Sequence, residues 1–114
     1  MNASTHSSII SSEKIDEIRR VAGMREIVSD YVTLKKTGRS YVGLCPFHPE
    51  KTPSFHVNEE KGRFKCFGCG VGGDIFRFYM MMTGSSFPQA VRDIAKRYGV
   101  SVPERPLSPE QREH

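Results

Sequence analysis

Two pairs of soft ligands constrain this chain more than any other feature: Cys45-x-x-His48 and Cys66-x-x-Cys69, separated by 17 residues. Residues two apart can grip one ion from a tight turn, and a second such turn brought back by a hairpin completes four-coordinate zinc. Glycines flank the second pair in Cys66-Phe67-Gly68-Cys69-Gly70, where backbone must curl around sulfur, and Pro46 stiffens the first. The chain has three cysteines in all. They cannot all pair as disulfides, and with one histidine they make a complete zinc set, which points to a reducing, cytoplasmic setting. His6, His56 and His114 have no comparable company and read as surface residues. Four protein ligands leave no position open for water, so one structural, tetrahedral Zn2+ is expected, and catalysis at the metal is not.

A metal staple suits the size. At 114 residues the chain is one small domain with limited area to bury. Its longest apolar run, Phe78 to Met82, is far short of a membrane span, and its Ser-rich start lacks the features of a signal peptide.

Around the ligands the pattern is that of an α+β zinc ribbon, a small antiparallel sheet with flanking short helices. Residues 1–12 read as a disordered start, 13–102 as the domain and the Pro-rich 103–114 as a linker. Helical spacing runs from Glu13 to about Tyr31 and is broken at Gly23. Tyr31-Val32-Thr33-Leu34 reads as a strand continuing to Lys36, followed by a turn at 37–39 and a second strand at 40–44. Two further short runs, Ser54–Val57 and Arg63–Cys66, flank a polar turn at 58–62, giving three to five strands. Period two sets Arg63 and Lys65 on one face and Phe64 on the other. Gly70–Gly73 closes the ribbon, and Asp74 caps a helix over 75–82 whose methionines read as core filler. Ser86 and Gln89 form a capping box for a last helix, with Phe87, Val91, Ile94, Ala95 and Tyr98 as its apolar stripe and Gly99 as its stop.

The net charge of +4 is unevenly spread. Between residues 35 and 65 stand seven basic side chains (Lys35, Lys36, Arg39, Lys51, Lys61, Arg63, Lys65) against three acids (Glu50, Glu59, Glu60), and the rest of the chain balances. Clustered charge of one sign costs self-repulsion and suits an anionic partner. A basic sheet face with interleaved aromatics suits single-stranded nucleic acid, with phosphates on Lys and Arg and bases stacked on exposed rings. The candidates are Lys35, Arg39, Tyr41, Lys51, Lys61, Arg63 and Lys65. Phe47, Phe55, Phe64 and Phe67 are read mostly as packing around the metal and under the sheet.

Two other classes compete. Zinc ribbons also dock proteins, so the basic face could meet an acidic partner. The run His48-Pro49-Glu50 with Cys66-x-x-Cys69 imitates the zinc-deaminase signature, in which Glu shuttles protons and water is the fourth ligand. Against that stand Cys45 as a fourth ligand, Lys65 where the signature has proline, and Thr52-Pro53, which prevents a long helix there.

Cys45-Pro-Phe-His48-Pro-Glu-Lys51-Thr-Pro-Ser-Phe55-His-Val57, then Lys61, then Cys66-Phe-Gly-Cys69-Gly-Val-Gly-Gly-Asp74, resembles the zinc-binding domain of bacterial DNA primases of the DnaG type. The likeness extends over residues 13 to 103, including Ile27-Val28, Tyr31-Val32, Leu34-Lys35-Lys36 and Gly38-Arg39, and no ligand departs from the pattern. It implies a module that grips single-stranded DNA template, helps choose the initiation site and presents it to a polymerase domain of the same or a neighbouring primase. Lys35, Arg39, Lys51 and Lys61 match positions the family associates with template. It further implies a polymerase core that holds Mg2+, a later domain that meets the replicative helicase, and a bacterial, nucleoid-associated location. On this reading the chain is an N-terminal fragment that binds but has no catalytic residues of its own.

Overall fold

The structure, a computed structural model, describes residues 8–102 and 105–106. The start at 1–7 and most of the tail at 103–114 lie outside the described residues. Of the stretch expected to be disordered, residues 8–12 are described. Strand β1 (Ser8–Ile9) pairs antiparallel with β7 (Arg105–Pro106), and Ser11 caps a helix.

Helix α1 (Ser12–Val21) begins where the Ser11 hydroxyl accepts the Lys14 amide, and α2 (Met24–Ser29) follows after Gly23. Gly23 offers α2 no side-chain cap, and the Glu59 carboxylate, from a distant turn of the sheet, accepts the Arg25 N–H instead. A negative charge at that end also suits the helix dipole. The strand expected at Tyr31–Leu34 does not form. The amides of Tyr31 and Val32 still donate to the Val28 carbonyl, so the helical end runs on as a turn that buries Val32.

The sheet then proceeds as a meander: β2 (Lys35–Thr37), β3 (Ser40–Gly43), β4 (Phe55–Asn58), β5 (Arg63–Cys66) and β6 (Gly72–Asp74), all antiparallel and adjacent in chain order. The fifth strand falls where the sequence suggested only a glycine closure. Gly43 is buried on β3 because the 31–34 segment crosses it: a Cβ there would lie 2.5 Å from the Thr33 carbonyl oxygen.

Helix α3 (Ile75–Thr83) starts at the Asp74 cap, and α4 (Phe87–Arg97) at the Ser86 cap. Gln89, expected to complete a capping box, turns its side-chain amide to Asp93. At the far end the Val100 amide reaches back to the Ala95 carbonyl past Gly99, closing the helix as expected. Ile18, Val28, Val91 and Ala95 are fully buried among the helices. Phe78 joins this core to the sheet: its ring lies 5.6–5.9 Å from those of Tyr31, Phe47, Phe55 and Phe64. The methionine run is split, Met82 packing on the core while Met81 is exposed. Phe87, expected in the buried stripe of α4, also stands exposed, edge-on to Phe76.

Candidate metal centre and nucleic-acid interface

The meander explains why four distant residues meet. Cys45 and His48 lie in the loop between β3 and β4, Cys66 ends β5 and Cys69 lies in the turn between β5 and β6. Phe55, which opens β4, pairs with Cys66, which closes β5, so both loops leave the sheet at the same end. One ligand atom from each of the four residues lies within 4.8 Å of the others, and the Cys45 and Cys69 sulfurs are 4.0 Å apart. Zinc–sulfur bonds of about 2.3 Å in a tetrahedron place ligand sulfurs roughly 3.8 Å apart. The cluster therefore needs only slight contraction.

Two observations test whether the residues fit a soft divalent metal. His48 Nδ1 is buried with no hydrogen-bond partner, the sole such side-chain atom among the described residues, whereas Nε2 is occupied by Glu50. A buried, unpaired imidazole nitrogen on a histidine that clusters with three thiols is a ligand in waiting. The thiols give the second. Burial, reinforced by hydrogen bonds with the Cys66 and Cys69 thiols, pushes Cys45 up to about 12. Burial also raises Cys66, but the backbone amides of Cys69 and Gly68 aimed at its sulfur outweigh that and hold it below the ordinary range. The amides ease ionisation of one sulfur, while burial opposes it at another. Such a donor set fits zinc.

The zinc-deaminase resemblance finds no chemical support here. Cys45 stands with the other ligands, and both Glu50 oxygens are engaged by His48 and by backbone amides.

The sheet register sorts the nucleic-acid candidates. Tyr41 pairs with Val57 and Val57 with Phe64, so these three share the core face. Tyr41 is half-buried with the Arg25 guanidinium 5.2 Å from its ring centre, not standing free as the sequence suggested. The opposite, open face carries a row formed by Lys35, Val42, His56, Lys65 and Gly72, each paired with the next. Arg63 and Lys65 are exposed on it, and Lys61 joins them along a shallow groove floored by Gly70 and Gly72. Arg39 is exposed in the β2–β3 turn and Lys51 in the first ligand loop, both off the sheet surface.

Sequence reasoning missed Phe67 as a surface group. Its side chain is 69% exposed and meets the His56 ring edge-on at 4.8 Å, while Phe47, Phe55 and Phe64 pack inward as expected. The signal was present: Arg63, Lys65 and Phe67 have the same parity. The open face is also more basic than its stretch of sequence, because Glu50 turns into the ligand loop and Glu59 to α2. Among the described residues no helix is long and apolar enough to cross a membrane.

Comparison with known proteins adds to this geometry. Residues 10–109 match the family described as CHC2 zinc finger. A DNA primase of Halalkalibacterium halodurans is 50% identical over 96 residues, covering 84% of this chain and 16% of that protein. A DNA primase of Aquifex aeolicus is 43% identical over 101 residues, covering 89% and 20%. The chain thus spans a fifth or less of the length of these relatives. Among solved structures, the zinc-binding and RNA polymerase domains of the Aquifex aeolicus primase superpose with a TM-score of 0.73 at 44% identity, covering 88% of this chain and 24% of that one.

Proposed function

The chain belongs to the CHC2 zinc finger family, the zinc-binding domain of DNA primases, and from that premise we propose that it recognises single-stranded DNA template and helps select the site where primer synthesis starts. The observation that carries this reading is the open sheet face, where Lys61, Arg63 and Lys65 line one groove with the exposed Phe67 and the half-buried His56, and Lys35 stands on the same face. Cations beside an exposed ring suit a single strand, since phosphates are drawn to Lys and Arg and stacking is worth about 1–3 kcal/mol per base and is tolerant of sequence.

Cys45, His48, Cys66 and Cys69 hold one zinc in a closed tetrahedral site. The metal's contribution is structural: it locks the two loops, and so fixes the end of the sheet from which Phe67 projects. Residues 13–102 make up this unit, and 103–114 lead toward a polymerase core. In the whole primase that core, of the same or a neighbouring molecule, carries the Mg2+ and the nucleotidyl transfer, and a further domain meets the replicative helicase in the bacterial cytoplasm at the nucleoid. Arg39 and Lys51 extend the basic track beyond the sheet, and Tyr41 supports it from beneath through its contact with Arg25.

Titrating the zinc-loaded, isotopically labelled chain with short single-stranded DNAs of differing trinucleotide content tests the proposal. Salt-sensitive NMR shifts centred on Lys61, Arg63, Lys65 and Phe67 are expected, differing among the oligonucleotides, with affinity on the order of 10⁻⁴ M or weaker at physiological salt because few phosphates are neutralised. An absence of shifts at millimolar DNA would overturn it and leave the basic face as a dock for protein.

A further inference from the structure

Glu50 sits two residues after His48 and is the acid of the ligand loop that turns inward, its side chain 10% exposed. Each of its oxygens is spoken for. Oε1 lies 3.1 Å from His48 Nε2, while Oε2 accepts the amide of Cys45 at 2.8 Å and that of Ser54 at 3.2 Å. One carboxylate therefore ties together the ring of one ligand, the backbone of another and the residue that leads into β4.

The chemistry of a neutral imidazole gives this arrangement a consequence. The ring carries one N–H, and a carboxylate that accepts at Nε2 keeps the proton there. Nδ1 then presents a lone pair, and Nδ1 is the buried atom left without a hydrogen-bond partner, on the histidine that clusters with the three thiols. Without the carboxylate the two tautomers compete, and the ring is free to turn about its side-chain bonds.

The second ligand turn makes room for the pair. Gly68 is not among the glycines with positive φ, so its backbone could be adopted by other residues. Space is what it supplies: a Cβ there would lie 3.1 Å from Glu50 Oε1 and 3.2 Å from His48 Nε2. The turn that brings Cys66 and Cys69 thus closes over the hydrogen bond that orients His48.

We propose that Glu50 is the positioning residue of the metal centre, selecting the Nε2–H tautomer of His48 and locking the first ligand loop, with Gly68 as the clearance that permits it. This rests on the reading that Cys45, His48, Cys66 and Cys69 hold zinc, so the unsubstituted chain is measured first. Zinc affinity is read by chelator competition, ligation by the visible spectrum of the cobalt-loaded chain, and the His48 tautomer by long-range proton–nitrogen NMR. A wild-type cobalt spectrum without three thiolates and one nitrogen would refute the zinc reading itself, whatever the variants do.

Given that spectrum, Glu50→Ala is expected to weaken zinc binding by about 10–100-fold, the usual effect of losing such an outer partner. Glu50→Gln keeps the size, and its fold is checked by the dispersion of the NMR spectrum. A glutamine has one acceptor oxygen, which cannot serve both the ring N–H and the two amides. It is expected to lower affinity by about tenfold and to move the Nε2 resonance. Gly68→Ala should shift the same resonance through crowding. If Glu50→Gln folds, holds zinc within about twofold of wild type and leaves the His48 tautomer signature unmoved, Glu50 does not position the ligand and the proposal fails.

Discussion

The ribbon and the helices of this small chain are held by different means. The helical half coheres through apolar packing of Ile18, Val28, Val91, Ile94 and Ala95, with its long helices started by side-chain caps and stopped by backbone hydrogen bonds. The ribbon's far end is two loops whose sulfurs crowd together, one of them reluctant to ionise, with an imidazole nitrogen buried unpaired. Packing supports the helices whether or not a cation is present. The loops have unmet demands that a cation satisfies. A domain with little area to bury has, beside its apolar core, a cluster of ligands that a metal ion would tie together, and Phe78 joins the helices to the sheet that carries it.

Removing the metal should separate the halves most sharply. Structural zinc contributes about 10–16 kcal/mol of apparent binding energy in comparable peptides. With a strong chelator, amide exchange is expected to lose protection first across 45–71, while α1 and α4 keep part of their helical circular dichroism. Simultaneous loss in both halves would show that they are one cooperative unit and break the contrast. Next in size is the joint. Phe78→Ala should cost about 3–5 kcal/mol in the zinc-loaded chain, because its ring meets rings from both halves. The denaturation midpoint measures it, and a loss under about 1 kcal/mol would mean that the halves do not lean on each other there.

Changes on the open face should touch binding and spare stability. Arg63→Ala with Lys65→Ala is expected to weaken single-stranded DNA binding about tenfold and to flatten its salt dependence by about 0.7 for each phosphate no longer neutralised. An unchanged salt slope would exclude both from the interface. The smallest effect lies between α3 and α4. Burial, then the hydrogen bond to Asp93, pushes the Tyr79 phenol up to about 12. A raised folded pKa is stabilising below the ordinary phenol value near 10, and that contribution is lost as pH climbs toward about 12. Tyr79→Phe should cost about 1 kcal/mol at neutral pH and remove that part of the alkaline decline, seen as a flatter plot of unfolding free energy between about pH 10 and 12.

What could be read beforehand follows the range of the forces involved. Caps at Asp74 and Ser86, the break at Gly23 and the stop at Gly99 are contacts within a few residues, so local spacing announces them. The ligand set was legible because a metal demands particular atoms at particular spacings. The 31–34 segment was misjudged because its β-branched and aromatic residues suit a strand, yet the amides of Tyr31 and Val32 are already taken by Val28. Strand Gly72–Asp74 has no side-chain alternation to betray it and exists because β5 offers it a partner. Tyr41 illustrates the limit of period two. Alternation fixes which neighbours share a face, but only the register with Val57 and Phe64 says that this face is the inner one. Glu50 was read as an acid in a basic stretch, as part of a false signature and as one position of the family motif, but not as a partner of His48, since that contact depends on how a proline-rich loop folds back.

Strand β2 leaves a last consequence. It is the outermost strand of the sheet, and its three residues, Lys35-Lys36-Thr37, are all exposed. An outer strand with unpaired amides and carbonyls invites another chain to add on, and lysines are a common guard against it. The opposite border is the short Gly72-Gly73-Asp74. The charge proposed to meet an anionic partner thus also makes each copy repel its twin along the lysine-bearing border. Neutralising that pair of lysines would trade solubility for self-adhesion before it disturbed the fold.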